Sequence, residues 1–183
     1  MNKTLGKRRI IIGNDINGDI DFISDGIASD IIKDPARPGY KSTKVWATIN
    51  TPANFGKGAK RESDNYNHSL LPPKSGSISR FVTIPPDQNY AKDLTEEKIK
   101  KFFLSICAED ISTYSDKAPH PYMHKKKSID YVYVMKGSIV LILDDDEVTL
   151  DQGDTVVNIG ANHSWSNKTN TDCELFISSH GGY

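Results

Sequence analysis

Short runs rich in β-favouring apolar residues, broken by polar turn residues, recur along the chain. Residues 9–12 and 20–24 are two such runs, with Asn17-Gly18 between them to supply the positive φ angles of a tight turn, so the pattern predicts a β-hairpin. Asn14-Asp15 and Asp25-Gly26 read as turns beside it. Residues 44–48 and 78–84 read as further strands, the latter stopping at Pro85-Pro86. Between them, residues 49–77 carry Pro52, Gly56, Gly58, Pro72, Pro73 and Gly76 among mixed charges, the composition of a long irregular loop. One segment, 93–107, has the helical period: Ile99, Phe102, Phe103 and Ile106 share a face, Asp93 and Glu96 have capping-box spacing, and Lys98, Lys100 and Lys101 lie off that face. Strand-like runs then crowd together at 131–135, 138–143, 147–150, 155–159 and 174–178, broken by turn residues such as Lys136-Gly137 and Gly153-Asp154, which predicts an antiparallel barrel or sandwich. Residues 139–143 are apolar at every position, so the outer face of that strand needs cover from another sheet, the N-terminal segment or a second subunit, and a homodimer is expected.

Length and charge narrow the classes. The 183 residues suit one domain, with N-terminal strands and a long loop over 1–90, the helix over 93–107 and the barrel core over 120–180. A net charge of -1 argues against a dedicated nucleic-acid or anionic-membrane binder. A mean hydropathy of -0.51 and the lack of a long apolar run argue against a transmembrane helix. The basic start with three isoleucines falls short of a secretory signal, so a cytoplasmic protein is expected. Cys107 and Cys173 form no CxxC pair, which removes a zinc ribbon or a thioredoxin-type motif and leaves two free, buried thiols as the expectation.

The chemistry is concentrated at 124–130 and 163–167. By strand parity His124, Lys126, Ser128 and Asp130 share one face, and His163, Trp165 and Asn167 share another. If both faces point inward, two imidazoles and a carboxylate meet, the composition of a 2-His-1-carboxylate metal site with open positions.

These stretches resemble the two motifs of the cupin superfamily, small β-barrels of the jelly-roll type. In the first motif His124 is followed by Lys126 at the second histidine position, Asp130 at the glutamate position and, after six residues, Gly137. The second runs from Gly153 through His163 to Asn167, with Ile159 and Ala161 at its proline and glycine positions. The resemblance implies an all-β, cupin-type jelly-roll barrel with an N-terminal hairpin and one inserted helix, enclosing a small-molecule pocket. It implies metal ligands at His124, Asp130 and His163, and Fe, Mn, Ni or Zn as the ion, or no metal because Lys126 replaces a ligand histidine.

Two readings of Lys126 stand open. It is a lysine of lowered pKa that acts as a base or anchors a carbonyl, or it pairs with Asp130, leaving the site metal-free, or snorkels to the barrel mouth beside a solvated basic turn of Lys125 and Lys127. Lys126 and His163 are the candidate catalytic residues, and Trp165, Asn167, Ser128, Val132 and Val134 the candidate substrate contacts. His68, His120 and His180 lack spacing partners and read as surface or loop residues, and Tyr131 and Tyr133 face away from Asp130. The expected function is a metal-dependent decarboxylase, isomerase, dehydratase or dioxygenase acting on a carbonyl, enol or carboxylate metabolite, aromatic or polyketide-like. The alternatives are a metal-free cupin that binds a small molecule or does acid/base chemistry with His163 and Lys126, and a ligand-sensing module.

Overall fold

The computed structural model describes residues 6–14, 17–55 and 58–182; Asp15 and Gly56 of the expected turn and loop lie outside them. Strands β1 (Arg8–Asn14) and β2 (Ile20–Ile27) pair antiparallel as a separate ribbon, with Ile12 opposite Phe22 and Gly18 at φ 87° in the turn. A six-stranded sheet runs in the order β3 (Ile31–Lys33), β4 (Lys41–Thr48), β5 (Ser77–Ile84), β11 (Cys173–Gly181), β6 (Ser128–Lys136), β9 (Thr155–Ile159). A three-stranded sheet runs β10 (Ser164–Ser166), β7 (Ser138–Ile142), β8 (Glu147–Asp151). Neighbouring strands are antiparallel in both, and the all-β jelly-roll expectation is met.

Strict alternation sets the inner face of the larger sheet. Ile78, Arg80, Val82 and Ile84 of β5 are buried, as are Ser128, Asp130, Val132 and Val134 of β6 and Cys173, Leu175, Ile177 and Ser179 of β11. The apolar members other than Ile78 form one cluster with Ile139 and Leu141 of β7 and Leu150 of β8. Helix α2 (Glu96–Ser105) lays Ile99, Phe102 and Phe103 on the same core, and Phe102 meets Tyr40 and Tyr122 edge to face. Each such apolar side chain removed from water contributes about 1.5–3 kcal/mol before entropy is counted.

Several expectations change. Asp25-Gly26, read as a turn, lies within strand β2, paired with Ile10 and Arg9. The stretch 49–77 contains helix α1 (Gly58–Asn65), which docks on β4 by accepting the Ala47 N–H at Ser63 Oγ, 2.9 Å away. Its sequence is polar around nearly the whole helix, so no hydrophobic period announces it. Helix α2 is capped by Thr95, whose side chain accepts from the Lys98 amide at 3.3 Å, while Asp93 sits in a preceding 3-10 turn. The second face of β7 meets the chain's own Met123 and Ala118, which pack against Val140 and Ile142. Cys107 is exposed and only Cys173 is buried. Among the described residues, no helix is long and apolar enough to cross a membrane.

Candidate active site in the barrel

The strand parity that builds the core also delivers polar groups to one hollow within it. His124, Lys126, Asp130, Val132, His163 and Trp165 all line a cavity of about 50 Å³, together with Arg80 from β5. That volume admits a few waters or a compact ligand. Val82, Ile84, Ile177 and Phe103 supply apolar wall. Lys126 and Ser128 also border a wider outer groove of about 1050 Å³, beside Lys125 and Lys127.

Lys126 and Asp130 are both buried, and their Nζ and Oδ2 atoms lie 2.5 Å apart. The other carboxylate oxygen accepts from Ser128 Oγ at 2.8 Å. Lys126 Nζ also donates to Ser179 Oγ at 3.2 Å and to the Leu70 carbonyl at 3.4 Å. Burial and the neighbouring Arg80 charge push the Lys126 ammonium down to about 8, against the pull of Asp130. Burial alone would raise the Asp130 carboxyl; the charges of Lys126 and Arg80 and the hydrogen bonds it accepts outweigh this and hold it at about 2. Both groups are therefore mainly ionised at neutral pH.

His124 and His163 face each other across the closure between the sheets. They exchange both backbone hydrogen bonds, at 2.9 and 3.0 Å, and their ring centroids are 4.3 Å apart. His124 Nδ1 lies 3.0 Å from the Tyr122 carbonyl, which can only accept, so Nδ1 carries the proton and Nε2 keeps its lone pair. His163 Nδ1 lies 2.9 Å from both the Ala161 carbonyl and the Asn158 amide nitrogen. Burial, with Lys126 nearby, holds His163 down at about 4; burial, with His163 and Lys126, holds His124 well below its usual value. Both imidazoles are neutral at physiological pH. Trp165 stands edge-on to His163 with centroids 6.0 Å apart.

A divalent metal, expected at His124, Asp130 and His163, does not fit the residues present. The ammonium of Lys126 occupies the second histidine position and has no lone pair to give, and the carboxylate is already engaged by Lys126 and Ser128. Among the described residues, no group of three or more His, Cys, Asp or Glu side chains is placed to hold a metal ion. Lys126 is paired with Asp130 and is also lowered toward neutrality, so it carries a feature of each reading.

The candidate substrate contacts divide. Trp165 and Val132 line the cavity, Ser128 borders the groove, and Val134 belongs to the apolar core. Asn167 is fully buried and its amide is used up: Nδ2 donates to the carbonyls of Ile84 and Thr171 at 2.9 Å each, and Oδ1 accepts from the Thr169 amide and hydroxyl. It clamps a turn and leaves nothing for a ligand. His120 and His68 do lie in loops, but their side chains are buried. Burial holds each at about 4; His120 Nδ1 bonds Ser164 Oγ at 2.6 Å, and His68 Nδ1 lies 3.0 Å from Asp30.

Arg80 escaped the sequence reading. The signal was there: it is the polar residue at an inward position of an alternating strand, between Ile78 and Val82.

Comparison with known proteins follows the same outline. Residues 114–179 match the family model described as a cupin domain. Over 50 residues the chain is 46% identical to phomopsin biosynthesis cluster proteins C' and D of Diaporthe leptostromiformis, covering 27% of this chain and 26% of each of those proteins. The matched stretch thus spans about a quarter of the length of these curated relatives. Among solved structures, the Cnp3 cupin domain of Schizosaccharomyces pombe superposes with a TM-score of 0.45 at 8% identity, covering 95% of this chain and 87% of that one. A cupin 2 conserved barrel domain protein from Salinispora arenicola gives a TM-score of 0.37 at 13% identity, covering 62% of this chain and 72% of that one.

Proposed function

We propose, for a chain that belongs to the cupin superfamily through residues 114–179, that the barrel binds a compact carbonyl- or carboxylate-bearing metabolite without a metal and serves acid/base chemistry on it. The observation that carries this reading is the Lys126–Asp130 pair, which puts a fixed ammonium where a cupin of the metal-binding kind needs a ligand.

The parts have complementary roles. A buried ammonium beside a carbonyl oxygen stabilises negative charge developing there, more strongly in a dry site than in water. A neutral imidazole accepts a proton from the adjacent carbon. His124 offers Nε2 for this, and His163 faces it across 4.3 Å. The proton thus moves from substrate carbon to imidazole nitrogen while Lys126 holds the enolate oxygen. Asp130 keeps Lys126 charged and aimed. The apolar wall and Trp165 exclude water and favour a flat or hydrophobic body on the ligand. The relatives' names place them in a biosynthesis cluster, which favours a biosynthetic substrate over a sensory ligand.

Metal analysis tests the reading. Wild-type protein from metal-supplemented, reducing medium is expected to hold well under one equivalent of Fe, Mn, Ni or Zn, and K126H to take up metal more tightly, because it supplies a lone pair and frees Asp130. A stoichiometric divalent ion in the wild type, lost in H163A, would overturn it.

A further inference from the structure

The buried cations in and near the cavity do not all have a counter-ion. Arg37 is paired with Asp34 at 2.7 Å, Lys44 with Asp30 at 2.5 Å and Lys126 with Asp130 at 2.5 Å. Arg80, 2% exposed, has no carboxylate of its own within ion-pair reach among the described residues. Its Nη1 donates to the Ser69 carbonyl at 3.1 Å and its Nη2 to Ser179 Oγ at 3.0 Å, while Nε is buried without a partner. Ser179 Oγ also accepts from Lys126 Nζ at 3.2 Å, and the Leu70 carbonyl faces both cations, at 3.5 and 3.4 Å. Two cationic heads therefore share neutral acceptors, and the nearby carboxylate of Asp130 is in ion-pair contact with Lys126 alone.

A buried charge without a counter-ion is expensive, and arginine cannot escape the cost by losing its proton. The deficit is one negative charge. It lies on the wall of a small cavity that Arg37, Lys126, Asp130, His124 and His163 also line, with Val132, Ile177 and Trp165 as apolar wall.

We infer that the cavity is a receptor for a compact organic monocarboxylate, its charged end held by Arg80 and Lys126 and its body against Val132, Ile177 and Trp165. One missing charge and about 50 Å³ of space select a small monoanion over phosphate, which brings more charge and no apolar body. This rests on the metal-free reading of the pocket and adds the charge of its occupant. Arg80 would be a binding residue, positioned by Ser179 and the Ser69–Leu70 turn.

The test uses the full chain in low-chloride buffer, with pyruvate, its uncharged isostere pyruvamide and inorganic phosphate as probes, read by calorimetry and thermal shift. Pyruvate is expected to bind about tenfold or more tightly than pyruvamide or phosphate, and R80M to lose that preference, because the discrimination is one charge-assisted contact. Equal binding of pyruvate and pyruvamide by wild-type protein, or a carboxylate preference that survives in R80M, would overturn the inference. The wild-type comparison decides it even if R80M fails to fold. Pyruvamide binding in the cavity without pyruvate binding would remove the anion site and leave the metal-free pocket standing; stoichiometric metal would remove that pocket reading independently.

Discussion

His124 and His163 occupy opposite positions of one antiparallel backbone pair, joined by hydrogen bonds of 2.9 and 3.0 Å, so the cavity is edged by two neutral imidazoles that cannot drift apart without opening the closure between the sheets. Their protonation is thus linked to folding.

Acid stability follows from that link. His163, His120 and His68 sit at about 4 in the folded chain against about 6.5 when unfolded, and His124 is lowered too. The unfolded chain binds more protons in this window, so stability falls as pH drops from about 6.5 toward 4. Each histidine steepens the fall by about 1.4 kcal/mol per pH unit. Urea unfolding between pH 4.5 and 6 should show H163Q with a slope smaller by about that amount; an unchanged slope would mean that His163 is not buried neutral.

Asp130 is expected to matter more than Lys126 for stability. D130N strands Lys126 and Arg80 as two buried cations, a loss of about 3–5 kcal/mol. K126M leaves Asp130 with Arg80 as a counter-charge and should cost less than half as much. Chemical denaturation of both variants decides this, and the reverse order would show that Arg80 does not support the carboxylate.

Asn167 should behave as a structural clamp. N167A removes two donors to carbonyls and the acceptor for Thr169, a loss of about 1–3 kcal/mol, with ligand affinity of the folded protein unchanged. Loss of binding at unchanged stability would restore its candidacy as a ligand contact.

The two thiols should separate by accessibility. An aromatic disulfide reagent is expected to label one equivalent in native protein, at Cys107, and two in denaturant. C107S should abolish the native reaction. Burial, with Glu174 nearby, raises the Cys173 thiol to about 11, which further disfavours its reaction.

What the sequence made legible was whatever repeats locally. The hairpin, the inner faces of β5 and β6, the apolar stripe of α2 and the meeting of His124, Lys126, Asp130 and His163 all follow from period-two or helical spacing with turn residues between. Less legible were features set by contacts distant in the chain. Helix α1 is held by Ser63 on Ala47, and the cover of β7 comes from Met123; neither leaves a periodic trace. The histidines at 68 and 120 lacked neighbours in sequence and found them in space, at Asp30 and Ser164. That Lys126 Nζ reaches Asp130 is a contact that strand parity permits but does not decide.

Strand β5 lies between β4 and β11, with Arg80 opposite Lys44 on one side and Ile177 on the other. A slide of one residue would swing Ser79, Phe81 and Thr83 inward and carry the guanidinium out to solvent. The side chain that gives the hollow its sign therefore doubles as a registration mark for the sheet, and any sequence drift that shifts this pairing erases ligand choice and strand alignment together.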